Sequence, residues 1–279
     1  MTTLLRGLAS LPLAALQVVG GMLGVLAYVV SKKYRGHLRA NLSVASRAYG
    51  FSPHYWRAAV GAGQTMTDAL WILQHHQEAL RRTVIGDWSL VDEALLEGKG
   101  LMILSPHLGS FEIIPPILAE RFPTTILRRP HRQPWLEAFA QPRRAHEQLT
   151  FVPANLQGVR SLARALVRHE VVATMPDQVP RVGDGVWAPF FGRPAYTTVL
   201  AMKIAARHNT PTIMFAAIRR GLGRGWEVRL TRLHDLGSGS MEAAAVVMNR
   251  ALEEAILQAP QQYLWAYNRY RVPRGVTPP

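Results

Sequence analysis

From residue 83 onward, short continuous apolar runs alternate with stretches of helical periodicity, and this alternation constrains the fold more than any other feature. The runs are 83–86, 100–105 (GLMILS), 124–128 (TTILR), 149–152, 170–175 (EVVATM), 212–218 (TIMFAAI) and 226–232. Between and after them, 89–97, 110–121, 134–147, 156–168, 196–208, 240–258 and 260–267 read as helices. An unbroken apolar run suits a strand covered on both faces, and strands separated by helices pair in parallel through crossovers. The expectation is therefore an α/β fold: a mixed, largely parallel sheet flanked by helices. Ser89, followed by Asp92 at the third position, predicts a capped start for the helix 89–97.

The chain upstream is different. From Gly7 to Val30 it reads GLASLPLAALQVVGGMLGVLAYVV, with Tyr28 its sole ionisable group. A helix of that length reaches about 36 Å, enough for a hydrocarbon core of about 30 Å. Arg6 precedes the stretch, whereas Lys32, Lys33, Arg35 and Arg39 follow it, and no acidic residue occurs before Asp68. The positive-inside bias then puts the rest of the chain on the cytoplasmic side. This predicts a transmembrane anchor over 7–30 and a basic juxtamembrane segment over 31–82, helical at 34–49 and 53–76. A single domain over 83–279 is expected to follow. Gly20 and Gly24 form a GxxxG pair suited to close helix packing.

The net charge of +14 calls for an anionic partner. Nucleic acid is disfavoured, because no binding motif accompanies the charge and an apolar span does. Cysteine is absent, which excludes disulfides, thiolate metal sites and cysteine nucleophiles. The adjacent His75 and His76 face different sides of a helix and have no accompanying ligand set, so neither metal nor cofactor is expected.

Ligands of open α/β sheets gather at the carboxyl ends of strands. Three polar clusters fall there: SPHLGSFE after 100–105, RRPHR after 124–128 and MPDQ after 170–175. His107 and Glu112, five residues apart, would be rotated by roughly 140° on one helix and so share no helical face. They meet only if His107 sits in the turn and Glu112 in the first helical turn. There, an imidazole can take a proton from an alcohol while a carboxylate fixes its tautomer. Alone, the spacing equally suits a helix start with a first-turn acid favouring the dipole.

The run GKGLMILSPHLGSFE resembles the late acyltransferases of lipid A biosynthesis, the lauroyl/myristoyl type, within the wider H-x4-D/E glycerolipid acyltransferase superfamily. The likeness continues in LRRP (Leu127–Pro130), MPDQ (Met175–Gln178), GVWAPFFGRPAYTT (Gly185–Thr198) and PQQYLWAYNRY (Pro260–Tyr270). The resemblance implies a glycerolipid-acyltransferase-like fold and transfer of a fatty acyl group from a thioester on acyl carrier protein to a hydroxyl of a lipid A precursor. It implies His107 as general base, Glu112 as its partner, and Arg129 and Asp177 as substrate-binding or positioning residues. It also implies residence in a bacterial inner membrane, with anionic lipids around the basic segment and 83–279 as the catalytic domain on the cytoplasmic face. PFFGRP reads as a turn whose aromatics pack in the core, with Thr197 and Thr198 capping the helix 196–208. Where the family commonly has Gly-Asn-Trp-Glu, this chain has Gly-Ser-Phe-Glu, with Ser110 and Phe111. Arg128 likewise replaces a common Tyr. The alternatives are acylation of another glycolipid or a lysophospholipid, with acyl-CoA or carrier protein as donor, and a tethered lipid-binding protein without catalysis.

Overall fold

The computed structural model describes residues 2–130 and 133–279, so the RRPHR block is described only as far as Pro130. The N-terminal apolar stretch is not one helix. Helix α1 (Thr2–Ala9) stops before Pro12, which stands as N-cap of α2 (Leu13–Val30). Proline has a helix-compatible φ but no N–H, so it opens a helix and cannot continue one. The uninterrupted span expected over 7–30 is thereby corrected to an 18-residue helix of mean hydropathy 2.1, roughly 27 Å long.

Ser31 ends α2 and caps α3 (Lys32–Tyr49), its hydroxyl accepting from the Tyr34 N–H at 3.2 Å. Arg35 reaches back to donate to the Tyr28 and Val29 carbonyls, occupying acceptors that the end of α2 leaves unpaired. Helix α4 (Tyr55–Gln74) then packs along α2. Glycines make that contact possible. A Cβ on Gly24 would lie 2.0 Å from the Ala59 carbonyl oxygen, and one on Gly63 would lie 1.9 Å from that of Gly20. The other face of α2 leaves Val18, Met22, Leu23, Leu26, Val29 and Val30 exposed. Gly63→Val would force the helix backbones apart, an overpacking cost of about 1–3 kcal/mol or more. The expected result is a clear drop in Tm of the detergent-purified protein, whereas Gly36→Ala, whose Cβ meets nothing within 4 Å, leaves Tm unchanged.

The remaining elements are α5 (His76–Arg81), β1 (Thr83–Ile85), α6 (Ser89–Leu96), β2 (Leu101–Leu104), a 3-10 turn at Phe111–Ile113, α7 (Ile114–Ala119), β3 (Thr124–Arg128), α8 (Pro134–Arg143), β4 (Leu149–Pro153) and α9 (Leu156–Val167). After them come β5 (Val171–Thr174), β6 (Gly185–Phe190), β7 (Arg193–Thr198), α10 (Leu200–His208), β8 (Thr212–Arg219), β9 (Trp226–Leu233) and α11 (Met241–Leu257). Seven strands form one sheet in the order β1-β9-β8-β2-β5-β3-β4, parallel except for the β8–β9 pair. The fold is α/β with a mixed, mostly parallel sheet, as the alternating apolar runs predict. Helices α9, α10 and α11 cover one face of it, and α6 and α7 the other.

Four local expectations are corrected. GVWAPFFGRPAYTT folds as a β6–β7 hairpin, so the helix expected from 196 begins at Leu200 and Thr197 and Thr198 belong to a strand. Phe191 and Gly192 both have positive φ (49° and 73°), as a two-residue turn matched to strand twist requires. The aromatics Phe190 and Phe191 are buried, in keeping with the core reading. Arg269 is buried too: it donates to the Tyr196 carbonyl and the Thr197 hydroxyl and so pins the hairpin. At α6, Trp88 is the N-cap and Ser89 lies inside the helix, with the Ser89 N–H donating to the Asp87 carboxylate at 2.9 Å. Of the helix expected over 260–267, only a 3-10 turn at Pro260–Gln262 forms.

Candidate active site

Strand β2 lies between β5 and β8, and the connections leaving its end and that of β5 go to opposite faces of the sheet. After β2 the chain passes through α7 on one face to β3; after β5 it passes through the hairpin and α10 on the other to β8. Adjacent parallel strands whose connections diverge leave a crevice at their carboxyl ends, the usual ligand position in such sheets. Leu104 and Thr174 are in register. Three residues beyond each stand His107 and Asp177, each preceded by a proline that keeps the chain extended.

The register brings the two side chains together. Asp177 Oδ1 is 2.7 Å from His107 Nδ1, and Asp177 Oδ2 accepts the His107 backbone N–H at 2.8 Å. A carboxylate only accepts, so Nδ1 carries the proton and Nε2 carries the lone pair. The exposed Gln178 amide lies against that lone pair, 3.1 Å from Nε2. Asp177 is almost completely buried, whereas the His107 side chain keeps about a fifth of its surface in solvent. Burial would push the Asp177 carboxyl up, but His107, by the attraction its ring exerts when protonated and by its two hydrogen bonds, and the Tyr263 hydroxyl together hold it below its ordinary value. Burial first, and then the neighbouring Asp177 charge, push the Tyr263 phenol well up, so it stays a hydrogen-bond donor.

The turn bearing His107 is braced from the C-terminal block. Gly109 N–H donates to the Gln262 carbonyl at 3.0 Å, Leu264 N–H donates to the His107 carbonyl at 3.2 Å, and Leu108 bridges Tyr263. These pairings explain why the expected helix over 260–267 gives way after its first turn: its backbone groups serve the turn instead. Gly109 has φ of 55°, and a Cβ there would sit 2.0 Å from the Ala217 carbonyl oxygen, so the tight approach requires glycine.

Glu112 does occupy the first turn after His107, yet its hydrogen bonds go elsewhere. Its two oxygens receive Nε and an Nη of Arg144 at 2.6 and 3.0 Å, both side chains about nine-tenths buried. Phe111, between them, sets its ring edge to face against the His107 imidazole at 5.1 Å. The structure thus joins His107 to Asp177 and Glu112 to Arg144. Arg129 is the first residue past β3 on the same sheet edge, exposed, with no ion pair among the described residues. Arg128, beside it, is paired with Glu137. Sequence reasoning missed Tyr263, Arg144 and Gln178. The first lies about 150 residues from the turn it braces, and separations of that kind leave no local pattern.

The chain matches the family model described as bacterial lipid A biosynthesis acyltransferase over residues 1–272. It belongs to that family. It is 24% identical over 224 residues to a lipid A biosynthesis lauroyltransferase of Escherichia coli, covering 78% of this chain and 71% of that one. A lipid A biosynthesis palmitoleoyltransferase of the same organism is 24% identical over 64% of this chain and 58% of its own length. A lipid A biosynthesis acyltransferase of Haemophilus influenzae is 26% identical over 63% of this chain and 55% of its own length. This member of the family is an acyltransferase, and the β2–β5 crevice with His107 at its mouth is its candidate active site.

Proposed function

We propose that this acyltransferase moves a fatty acyl group from an acyl-carrier-protein thioester to a hydroxyl of a lipid A precursor in lipopolysaccharide synthesis. His107 Nε2 takes the proton of the acceptor hydroxyl as its oxygen attacks the thioester carbonyl. The tetrahedral intermediate then collapses, and the departing thiolate recovers the proton from the imidazolium, so no acyl-enzyme forms. The observation that carries the reading is the Asp177–His107 pair, which leaves Nε2 free of Asp177 and against the exposed Gln178 amide, a contact that an acceptor hydroxyl would displace. Asp177 is the carboxylate that orients the base and stabilises its charged form. Glu112 acts one step removed, holding Arg144 and thereby tying the end of α8 to the turn. Arg129, exposed on the crevice rim, is suited to a substrate phosphate.

Membrane attachment follows from the exposed apolar face of α2, with Lys32, Lys33 and Arg39 just beyond its end available to anionic headgroups. On this reading the body lies on the cytoplasmic face of an inner membrane, with α2 as the anchor. The test is incubation of membranes containing the protein with acyl-carrier-protein thioesters and a diphosphorylated lipid A precursor, followed by mass spectrometry. The expected product carries one added acyl chain. Intact protein that adds none across a range of donors and precursors would overturn the proposal.

A further inference from the structure

Asp68, in the middle of α4, is fully buried and takes no part in the chemistry just described. Its carboxylate receives donors from four separate parts of the chain. They are Gln17 Nε2 of α2 at 2.8 Å, Ser110 Oγ of the catalytic turn at 2.5 Å, Arg219 Nε of β8 at 2.6 Å and Trp226 Nε1 of β9 at 3.2 Å. A buried carboxylate is tolerated only when paired and hydrogen-bonded, and removing one partner leaves the others unsatisfied. The cluster therefore has one low-energy arrangement rather than a range of them.

Its two outer members matter most. Gln17 is a completely buried amide in an otherwise apolar helix, and its Oε1 also accepts the Gly223 N–H at 2.7 Å. Both ends of the amide thus lock α2 to the body. Ser110 lies between His107 and Glu112, and its own N–H donates to the Ala217 carbonyl at 2.9 Å. Ser110 also caps the 3-10 turn that carries Phe111, whose ring abuts the His107 imidazole. A second route reaches the same turn. Gln262 exchanges two hydrogen bonds with the Arg219 backbone, and its carbonyl accepts the Gly109 N–H. One carboxylate thus connects the seated face of α2 with the turn that aims His107.

We infer that Asp68 is a positioning residue of the acyl-transfer site, holding the His107 turn through Ser110 in a geometry that depends on α2 being seated through Gln17. The inference takes the proposed acyl transfer as its kinetic readout, and hydrogen–deuterium exchange of the 105–113 backbone as a readout that needs no substrate. In the full-length protein, Ser110→Ala is expected to lower kcat by roughly 10-fold to 10²-fold, the scale of a small misplacement of reacting groups. KM should stay near wild type, and Tm should fall modestly, since one donor to a buried carboxylate is lost, with the protein still folded. Gln17→Leu, far along the chain from the turn, should lower kcat in the same manner and speed exchange at 105–113. The decisive measurement is the double variant: Gln17→Leu should lower kcat by a clearly smaller factor in the Ser110→Ala background than in wild type, the residual effect passing through Arg219 and Gln262. Additive losses, or a folded Ser110→Ala protein with wild-type kcat and wild-type exchange, would overturn the inference. An inactive wild-type protein would instead count against the acyl-transfer reading, and the exchange data would still decide for or against Asp68. Asp68→Asn, which removes the shared acceptor charge, should produce the largest loss; the two milder variants carry the test if it fails to fold.

Discussion

His107→Ala is expected to lower kcat by about 10²–10⁴-fold, the usual contribution of a positioned general base. Binding should change little, because the imidazole presents one lone pair to the acceptor and little surface. The fold should survive as well: the side chain is partly exposed, and the turn is held by backbone bonds from Gln262 and Leu264 that the substitution leaves in place. Single-turnover measurements with saturating donor separate the chemical step from binding and release. A folded His107→Ala protein with wild-type kcat would remove the base from the mechanism whatever the substrate proves to be.

Asp177→Asn should come close to that loss, roughly 10²–10⁴-fold in kcat. The amide is nearly isosteric, but it has one acceptor where the carboxylate has two, and Asp177 serves both the His107 backbone N–H and Nδ1. With the amide nitrogen turned toward Nδ1, the imidazole shifts its proton to Nε2 and loses the lone pair that would take the substrate proton. Glu112→Gln should cost less, because one oxygen remains to accept from Arg144. The ordering of the two variants separates the partners: a collapse on Glu112→Gln with near-normal Asp177→Asn would restore the His107–Glu112 relay. Acid unfolding supplies an independent check. The Asp177 carboxyl is held below its ordinary value of 3.8 in the folded protein. Its contribution to stability is therefore fully present above that pH and is lost as the pH falls through the lower folded value. Thermal melts should show Asp177→Asn less stable than wild type at neutral pH, with the gap closing in acid below 3.8.

The resemblance placed His107, Glu112, Arg129 and Asp177 near one site, and three of the four were also legible as polar residues following apolar strands. What could not be read was which carboxylate meets the imidazole. A spacing of five residues is a local relation, and it drew attention to Glu112. The observed partner of His107 is set by β2 and β5 being neighbours in register, a pairing between segments 70 residues apart. The hairpin at 185–198 was hidden for a related reason. Its six-residue strands contain two prolines and pack against α11, so their conformation is decided by contacts with Asn249 and Arg269 and not by local periodicity.

Taken by itself, the sequence determined the central strands β2, β5 and β8, because a strand buried on both faces must be largely apolar wherever it lies. It determined the apolar character of α2 and the cluster of cations after it for the same reason: solvent and lipid select composition locally. Only the tertiary structure decided that glycines seat one face of α2 on α4. It also decided that Asp177 and not Glu112 touches the imidazole, and that Asp68 gathers α2, β8, β9 and the His107 turn around one charge. The glycine contact depends on two backbones approaching, and the two carboxylate contacts on donors meeting acceptors at about 3 Å. Such distances between remote segments exist only once the layers have packed.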